Sequence, residues 1–245
     1  MTHITRAQTS LAALSRTLCA GLLMAGALQA QAITVQIGTR LDLAGTDTLT
    51  WGQLGADISF ISAFPANFTT TGGATGTVNN TAGDLTRADE GGVAFAGDFA
   101  VGAQLLGTFG NAGPLVISFA NPVARVGTQI QSNEWVAFTG WMSAFDSSNT
   151  LLGTVSIGGT SGFGQANTAP FLGIGSSSLN ISSVQFSVTT STPNNDLWIN
   201  TVDLSSTQFV VAPIPEPQAY VLALAGVAML GLAARRRRPV ATTLV

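Results

Sequence analysis

The sequence predicts an all-β body, an antiparallel β-sandwich or jelly-roll-like ectodomain, between an N-terminal signal helix and a single C-terminal transmembrane helix. Three observations point there. Charged residues make up only 9% of the 245, none of them lysine, while glycine contributes 28. That balance suits short strands joined by turns better than helices. Period-2 alternation and short apolar runs fill the middle of the chain, without a helical periodicity of useful length. Each end changes abruptly to an uncharged, greasy run beside arginines. An apolar fraction of 46% and a formal net charge of −3 argue against disorder.

Residues 1–32 read as a signal peptide. Arg6 and Arg16 supply the positive flank, and Leu18 to Leu28 (LCAGLLMAGAL) the apolar core. Ala30-Gln31-Ala32 is a small-x-small cleavage pattern, so the mature chain is expected to start at Ile33. The partners implied are the Sec export machinery and signal peptidase. The core is short for an uncleaved anchor.

The body, 33–208, is expected to be strand after strand. Candidates are ITVQI (33–37), GVAFAGDFA (92–100), LVISFA (115–120), VARVGTQI (123–130) and EWVAFTGWMSAF (134–145). LLGTVSI (151–157), FLGIG (171–175), ISSVQFSVT (181–189) and DLWINTVDL (196–204) follow. Turn signals separate them at 110–114, 120–122, 146–149 and 192–196. Val184, Phe186 and Val188 share one face; Ile181 is out of phase, which predicts a bulge or register break near Ser182. The apolar residues around Trp198 occupy both faces, so that strand is expected to be covered on both sides at one end. Residues 63–91, rich in Thr, Gly and Asn, read as a long surface excursion with little regular structure.

The C-terminal segment has three parts. Residues 209–217 form a linker that ends in Pro215-Glu216-Pro217, which disfavours helix and holds its backbone extended. Residues 218–238 combine an uncharged run, Ala219 to Ala234, with Arg235-Arg236-Arg237-Arg238. As a helix the run reaches about 24 Å, short against a hydrocarbon core of about 30 Å unless Tyr220 and the arginines anchor its two ends. The positive-inside rule keeps the arginines and the short tail 239–245 cytoplasmic, and the body outside.

This arrangement of Pro215-Glu216-Pro217, apolar run and Arg235–Arg238 resembles the PEP-CTERM sorting signal of exported bacterial proteins. The resemblance implies recognition by exosortase, an integral-membrane processing enzyme. It implies an inner-membrane-anchored precursor, cut and passed to the outer envelope or exterior, often alongside exopolysaccharide. The stretches FAGDFAVGAQLLGTFGNAGPLVISFANPVARVGTQIQ, FTGWMSAFDSSNTLLGTVSIGG and FLGIGSSSLNISSVQFSVT are similar to a recurrent all-β ectodomain of such proteins. That similarity bears on fold and barely on function.

Absences carry most of the functional information. The single His3 and single Cys19 both lie in the signal segment. A mature chain without His, Cys or Lys has no disulfide, no Cys or His zinc site, no Ser-His-Asp triad and no Schiff-base chemistry. A cofactor is not expected. Carboxylates remain, and a glycosidase needs two across a cleft. Asp98, Glu134, Asp146 and Asp203 show no spacing that suggests such a pair. Asp84, Asp89 and Glu90, beside two glycines, are weak calcium candidates without EF-hand spacing. Trp135 and Trp141 share strand parity and face outward if Phe138 and Met142 face the core, which makes them candidates for stacking on a glycan. Trp51 and Trp198 are expected in the core. With the tail removed, twelve acidic residues face three arginines, a net charge of −9 that disfavours nucleic acid. The expected function is that of a non-enzymatic envelope or matrix protein. The alternative is an exopolysaccharide-binding module, calcium-dependent or not.

Overall fold

A computed structural model of the chain describes residues 32, 34–92, 95–110, 113–209 and 224–230. The body is built from fifteen strands: β1 (Thr34–Ile37), β2 (Asp47–Leu49), β3 (Ser59–Ile61), β4 (Ala66–Thr69), β5 (Thr75–Asn80), β6 (Leu85–Asp89), β7 (Gln104–Thr108), β8 (Leu115–Val123), β9 (Arg125–Ser132), β10 (Ala137–Phe145), β11 (Leu151–Thr160), β12 (Phe171–Ser176), β13 (Ile181–Thr190), β14 (Leu197–Ile199) and β15 (Val202–Ser205). One short helix, α1 (Arg40–Leu43), and a 3-10 turn, Trp51–Leu54, join the first strands. Thr39 caps α1, its hydroxyl accepting from the Asp42 amide at 3.1 Å.

The strands form two sheets, antiparallel throughout. The first has nine strands, in the order β1-β12-β9-β14-β7-β6-β3, with β15 continuing the line of β14 and carrying β2. The second has six, in the order β11-β10-β13-β8-β5-β4. Alternation explains the inner face of the second sheet. In β13, Val184, Phe186 and Val188 are buried, and they lie opposite Ala144, Gly140 and Met142 of β10 in the register Ala144↔Val184, Met142↔Phe186, Gly140↔Val188. Leu115, Ile117 and Phe119 of β8 extend the row. Ile130, Leu106, Leu85 and Ile199 face them from the first sheet, closing one apolar core.

Several expectations are met at the level of single residues. The register between β8 and β13 shifts between Ile181 and Ser183, as the phase of Ile181 predicts. Leu197, Trp198 and Ile199 of β14 are all buried, one strand covered on both faces. Trp51 and Trp198 are core residues, and the Trp51 indole donates to the Asn200 carbonyl at 3.0 Å.

Others need correction. The 63–91 excursion is regular structure: β4, β5 and β6 lie within it. Thr75, Thr77, Asn79 and Asn80 are strand residues because β5 pairs along β8, and Phe68 and Val78 are enough to fix the buried side. The expected turn at 120–122 is instead the exposed part of β8, where the strand bulges past β13. The expected strand over 92–100 is not one; its described part is irregular apart from an isolated bridge, Ala100 to Ala166. The Glu90 carboxylate accepts the Gly97 amide at 2.7 Å and bends the segment into a flap, whose Phe95 and Phe99 pack on Trp198 and Leu105. The last expected strand breaks in two at Asn200–Thr201, whose carbonyls both accept from the Thr128 hydroxyl. The body extends one residue further than expected, to Phe209, which packs on Ile37, Leu43 and Phe171 beneath the Arg125 guanidinium.

The chain divides into two units, 1–209 and 210–245. In the second, residues 224–230 are helical and exposed. No helix among the described residues is long and apolar enough to cross a membrane. Most of the expected transmembrane helix at 218–238 lies outside the described residues. So do Ala30, Pro215-Glu216-Pro217, Arg235–Arg238 and the tail 239–245.

Candidate functional site

Two kinds of feature can carry function here: outward aromatic side chains and inward carboxylates. Trp135 lies on the bend between β9 and β10, ahead of the strand predicted to hold it, so strand parity does not orient it. It is 65% exposed and meets Phe163, itself 64% exposed, with ring centroids 5.2 Å apart and planes tilted by 55°. The Ser161 amide donates to the Val136 carbonyl at 3.0 Å, which holds the two loops side by side. Sequence reasoning did not single out Phe163. Its neighbours in a glycine-rich loop gave no periodic signal.

Trp141 is elsewhere. It sits mid-way along β10 on the outer face of the six-stranded sheet, between Ser156 and Ser187. It lies in the strand while Trp135 lies on the bend before it. It is 38% exposed, and its indole N–H donates to the Thr189 hydroxyl at 3.2 Å. The two tryptophans face solvent but do not form one platform.

The acidic candidates do not converge on a cation. Asp84 is exposed at the turn before β6. Asp89 pairs with Arg87 at 2.6 Å, and Glu90 is buried with its carboxylate on the flap. Burial pushes the Glu90 carboxyl above its ordinary value despite the backbone amides that donate to it. Among the described residues, no group of three Asp, Glu, His or Cys side chains is arranged to hold a metal ion.

Three of the four carboxylates weighed for glycoside cleavage have structural partners, and the fourth, Glu134, has a buried Oε2 without one. Asp98 accepts from the amides of Gly162 and Gly164 at 2.5 and 3.1 Å. Asp146 closes its own turn through the amides of Ser148 and Thr150, both at 2.8 Å. Asp203 pairs with Arg40 at 2.6 Å; burial raises its carboxyl even so. Glu134 lies on the bend beside Trp135.

A groove that sequence reading missed crosses the outer face of the nine-stranded sheet. A row of paired residues runs across it: Gln131 of β9, Trp198 of β14, Gly107 of β7, Thr86 of β6 and Phe60 of β3. A Cβ on Gly107 would fall on the Trp198 ring, so the indole lies flat across β7. Phe95 covers part of that ring, with centroids 4.5 Å apart. Beyond the flap the sheet is open, and a groove of about 120 Å³ remains between Phe60, Phe109, Thr86, Asn133, Phe95 and Trp198. A roomier hollow of about 440 Å³ beside β4, β5 and β8 has no charged side chain and no buried polar atom in need of a partner.

Residues 213–238 match the family model described as the PEP-CTERM protein-sorting motif. No curated protein matches the sequence. Among solved structures, a DUF4465 family protein from Bacteroides caccae is similar at 11% identity and TM-score 0.41, over 65% of this chain and all of that one. CsCBM6-3 from Clostridium stercorarium, solved in complex with cellobiose, is similar at 14% identity and TM-score 0.31, over 62% of this chain and 98% of that one. The enzymatically active domain of the bacteriophage CBA120 tailspike protein 4 is similar at 12% identity and TM-score 0.23, over 72% of this chain and 19% of that one. At these scores the likenesses carry no argument about fold, ligands or activity.

Proposed function

We propose that this chain, whose residues 213–238 match the PEP-CTERM protein-sorting motif, is exported and sorted by way of exosortase and serves as a non-enzymatic component of the cell envelope or extracellular matrix. The observation that carries this reading is the match over 213–238, which coincides with the tripeptide, the apolar run and the arginines. The body supports the non-enzymatic part by its chemistry. It contains no His, Cys or Lys, and Asp98, Asp146, Asp203 and Glu90 each hold backbone or an arginine in place.

In this reading an extended Pro-Glu-Pro segment offers its backbone to the processing enzyme, the apolar run fixes its depth, and the arginines stop translocation. Mass spectrometry of membrane and secreted fractions from the native host tests it. The secreted form is expected to begin at Ile33 and to lack Arg235 to Arg238. Replacing Pro215, Glu216 and Pro217 together by alanine is expected to hold the precursor in the membrane fraction. A released protein that keeps all four arginines would refute the reading.

A second reading, carbohydrate binding, has its own support in the exposed Trp135–Phe163 pair. Aromatic faces stack on the C–H faces of sugar rings, and a pair this exposed has no packing role that demands it. Glycan binding that survives EDTA and is lost in Trp135→Ala would favour it, since among the described residues no group of three acidic side chains is arranged to hold a metal ion.

A further inference from the structure

We propose that the groove on the outer face of the nine-stranded sheet is a binding site for one uncharged hexopyranose unit of a polysaccharide. The proposal rests on the carbohydrate-binding reading and adds a subsite distinct from the Trp135–Phe163 pair.

The lining is what a neutral sugar ring requires. Phe60 and Phe109 stand at the rim, each 62% exposed, and offer aromatic faces to axial C–H groups. Between them lies a polar atom with nothing to bond. Thr86 is 6% exposed, lines the groove, and its Oγ1 is buried without a hydrogen-bond partner. A buried hydroxyl left in that state is destabilising unless something satisfies it. A ring hydroxyl entering the groove would both donate to and accept from it.

Asn133 supplies a second polar group of fixed orientation. Its Oδ1 accepts the Trp198 indole N–H at 2.7 Å and its amide donates to the Asp196 carbonyl at 2.9 Å. That leaves the Nδ2 hydrogens for a ligand oxygen. The floor is rigid, because Trp198 is held by Asn133, pressed over Gly107 and roofed in part by Phe95.

Charge selects against acidic sugars. None of the described residues lining the groove is charged. The three arginines of the body are committed elsewhere: Arg40 to Asp203, Arg87 to Asp89, and Arg125 over Phe209. A uronate would enter without a cation, against the field of a body carrying net −8, three arginines against eleven carboxylates. Size sets the unit. About 120 Å³ is below the few hundred Å³ that drug-sized ligands occupy, and suits one ring rather than a chain lying at full length.

The test uses the full-length chain titrated calorimetrically with two panels, neutral hexose oligosaccharides and oligouronates. Binding to at least one neutral oligosaccharide and to no oligouronate is expected. Phe60→Ala and Thr86→Val should each weaken it about tenfold, one contact's worth in either case. Both sites are at the surface or nearly isosteric, so the variants keep the fold, which a thermal melt verifies. If neutral sugars bind and only Trp135→Ala abolishes binding, the groove is not the site although the carbohydrate reading stands. If the oligouronates bind as well as the neutral panel, the charge argument is wrong and the proposal falls. If no glycan binds, or an apolar peptide alone occupies the groove, both the proposal and that reading fall.

Discussion

Asp47 and Glu90 are carboxylates turned toward backbone, and their surroundings push them in opposite directions. Burial would raise Asp47, but donors from Thr70, Gly72, Thr48 and Thr71 outweigh it and hold the carboxyl below its ordinary value. This carboxylate ties β2 to the turn between β4 and β5. Its contribution is fully present above the unfolded-state pKa and is lost as pH falls through the lowered folded value. Glu90 shows the reverse sign. Burial raises it, so its ionisation weakens the fold as pH rises from the ordinary carboxylate value to the raised one, with no further change above. Urea denaturation across pH 3 to 8 separates the two. Asp47→Asn is expected to cost about 1–3 kcal/mol at neutral pH, since one amide oxygen replaces a carboxylate serving several donors. That difference should shrink in acid. Glu90→Gln keeps an acceptor for the Gly97 amide without the buried charge, and should match or exceed the native stability at neutral pH, losing its advantage in acid. A flat difference across pH for either variant would contradict the assignment.

Among the elements, the relation of β7 to β14 is the most demanding. Gly107 leaves room for the Trp198 indole, and an added Cβ would meet both that ring and the Leu197 carbonyl. Gly107→Ala is expected to destabilise the body by about 1–3 kcal/mol and to alter the near-ultraviolet dichroism of the tryptophans. An unchanged melting temperature and spectrum would mean the indole does not lie where described. The sequence made the elements with strong alternation legible, and β13 down to its register shift, because burying one face of a strand leaves a period-2 trace. It hid β4, β5 and β6, whose burial is carried by a few side chains amid Thr, Asn and Gly. It misled at 92–100, where phenylalanines that resemble an inner strand face belong to a flap held by the carboxylates of Glu90 and Asp98. The groove was illegible for a related reason. Phe60, Thr86, Gly107 and Trp198 are distant in sequence, and only sheet order brings them into one row. Trp135 was expected outward from strand parity but lies on a bend that parity does not govern, and its partner Phe163 comes from a loop–loop contact no local pattern encodes.

For the whole molecule, charge is segregated along the chain. The body holds three arginines against twelve acidic residues counted to Glu216, while the C-terminal run of four arginines lies beyond it. Removing the signal segment leaves a precursor of net −5, and excision of the arginines takes it to −9. The two forms therefore differ in charge by nearly as much as the precursor carries. On the proposed reading, sorting would have an electrostatic consequence as well as a topological one: loss of the four arginines would turn a precursor of net −5 into a more acidic released form. On an anion exchanger at neutral pH the released form is expected to elute at distinctly higher salt than the detergent-extracted precursor. At low ionic strength the released form should leave duplex DNA unshifted in a gel, since it offers no cluster of cations to displace counterions. Co-elution of the two forms would show that the arginines stay with the protein after release. Retardation of DNA by the released form would show a cationic surface that three committed arginines cannot supply.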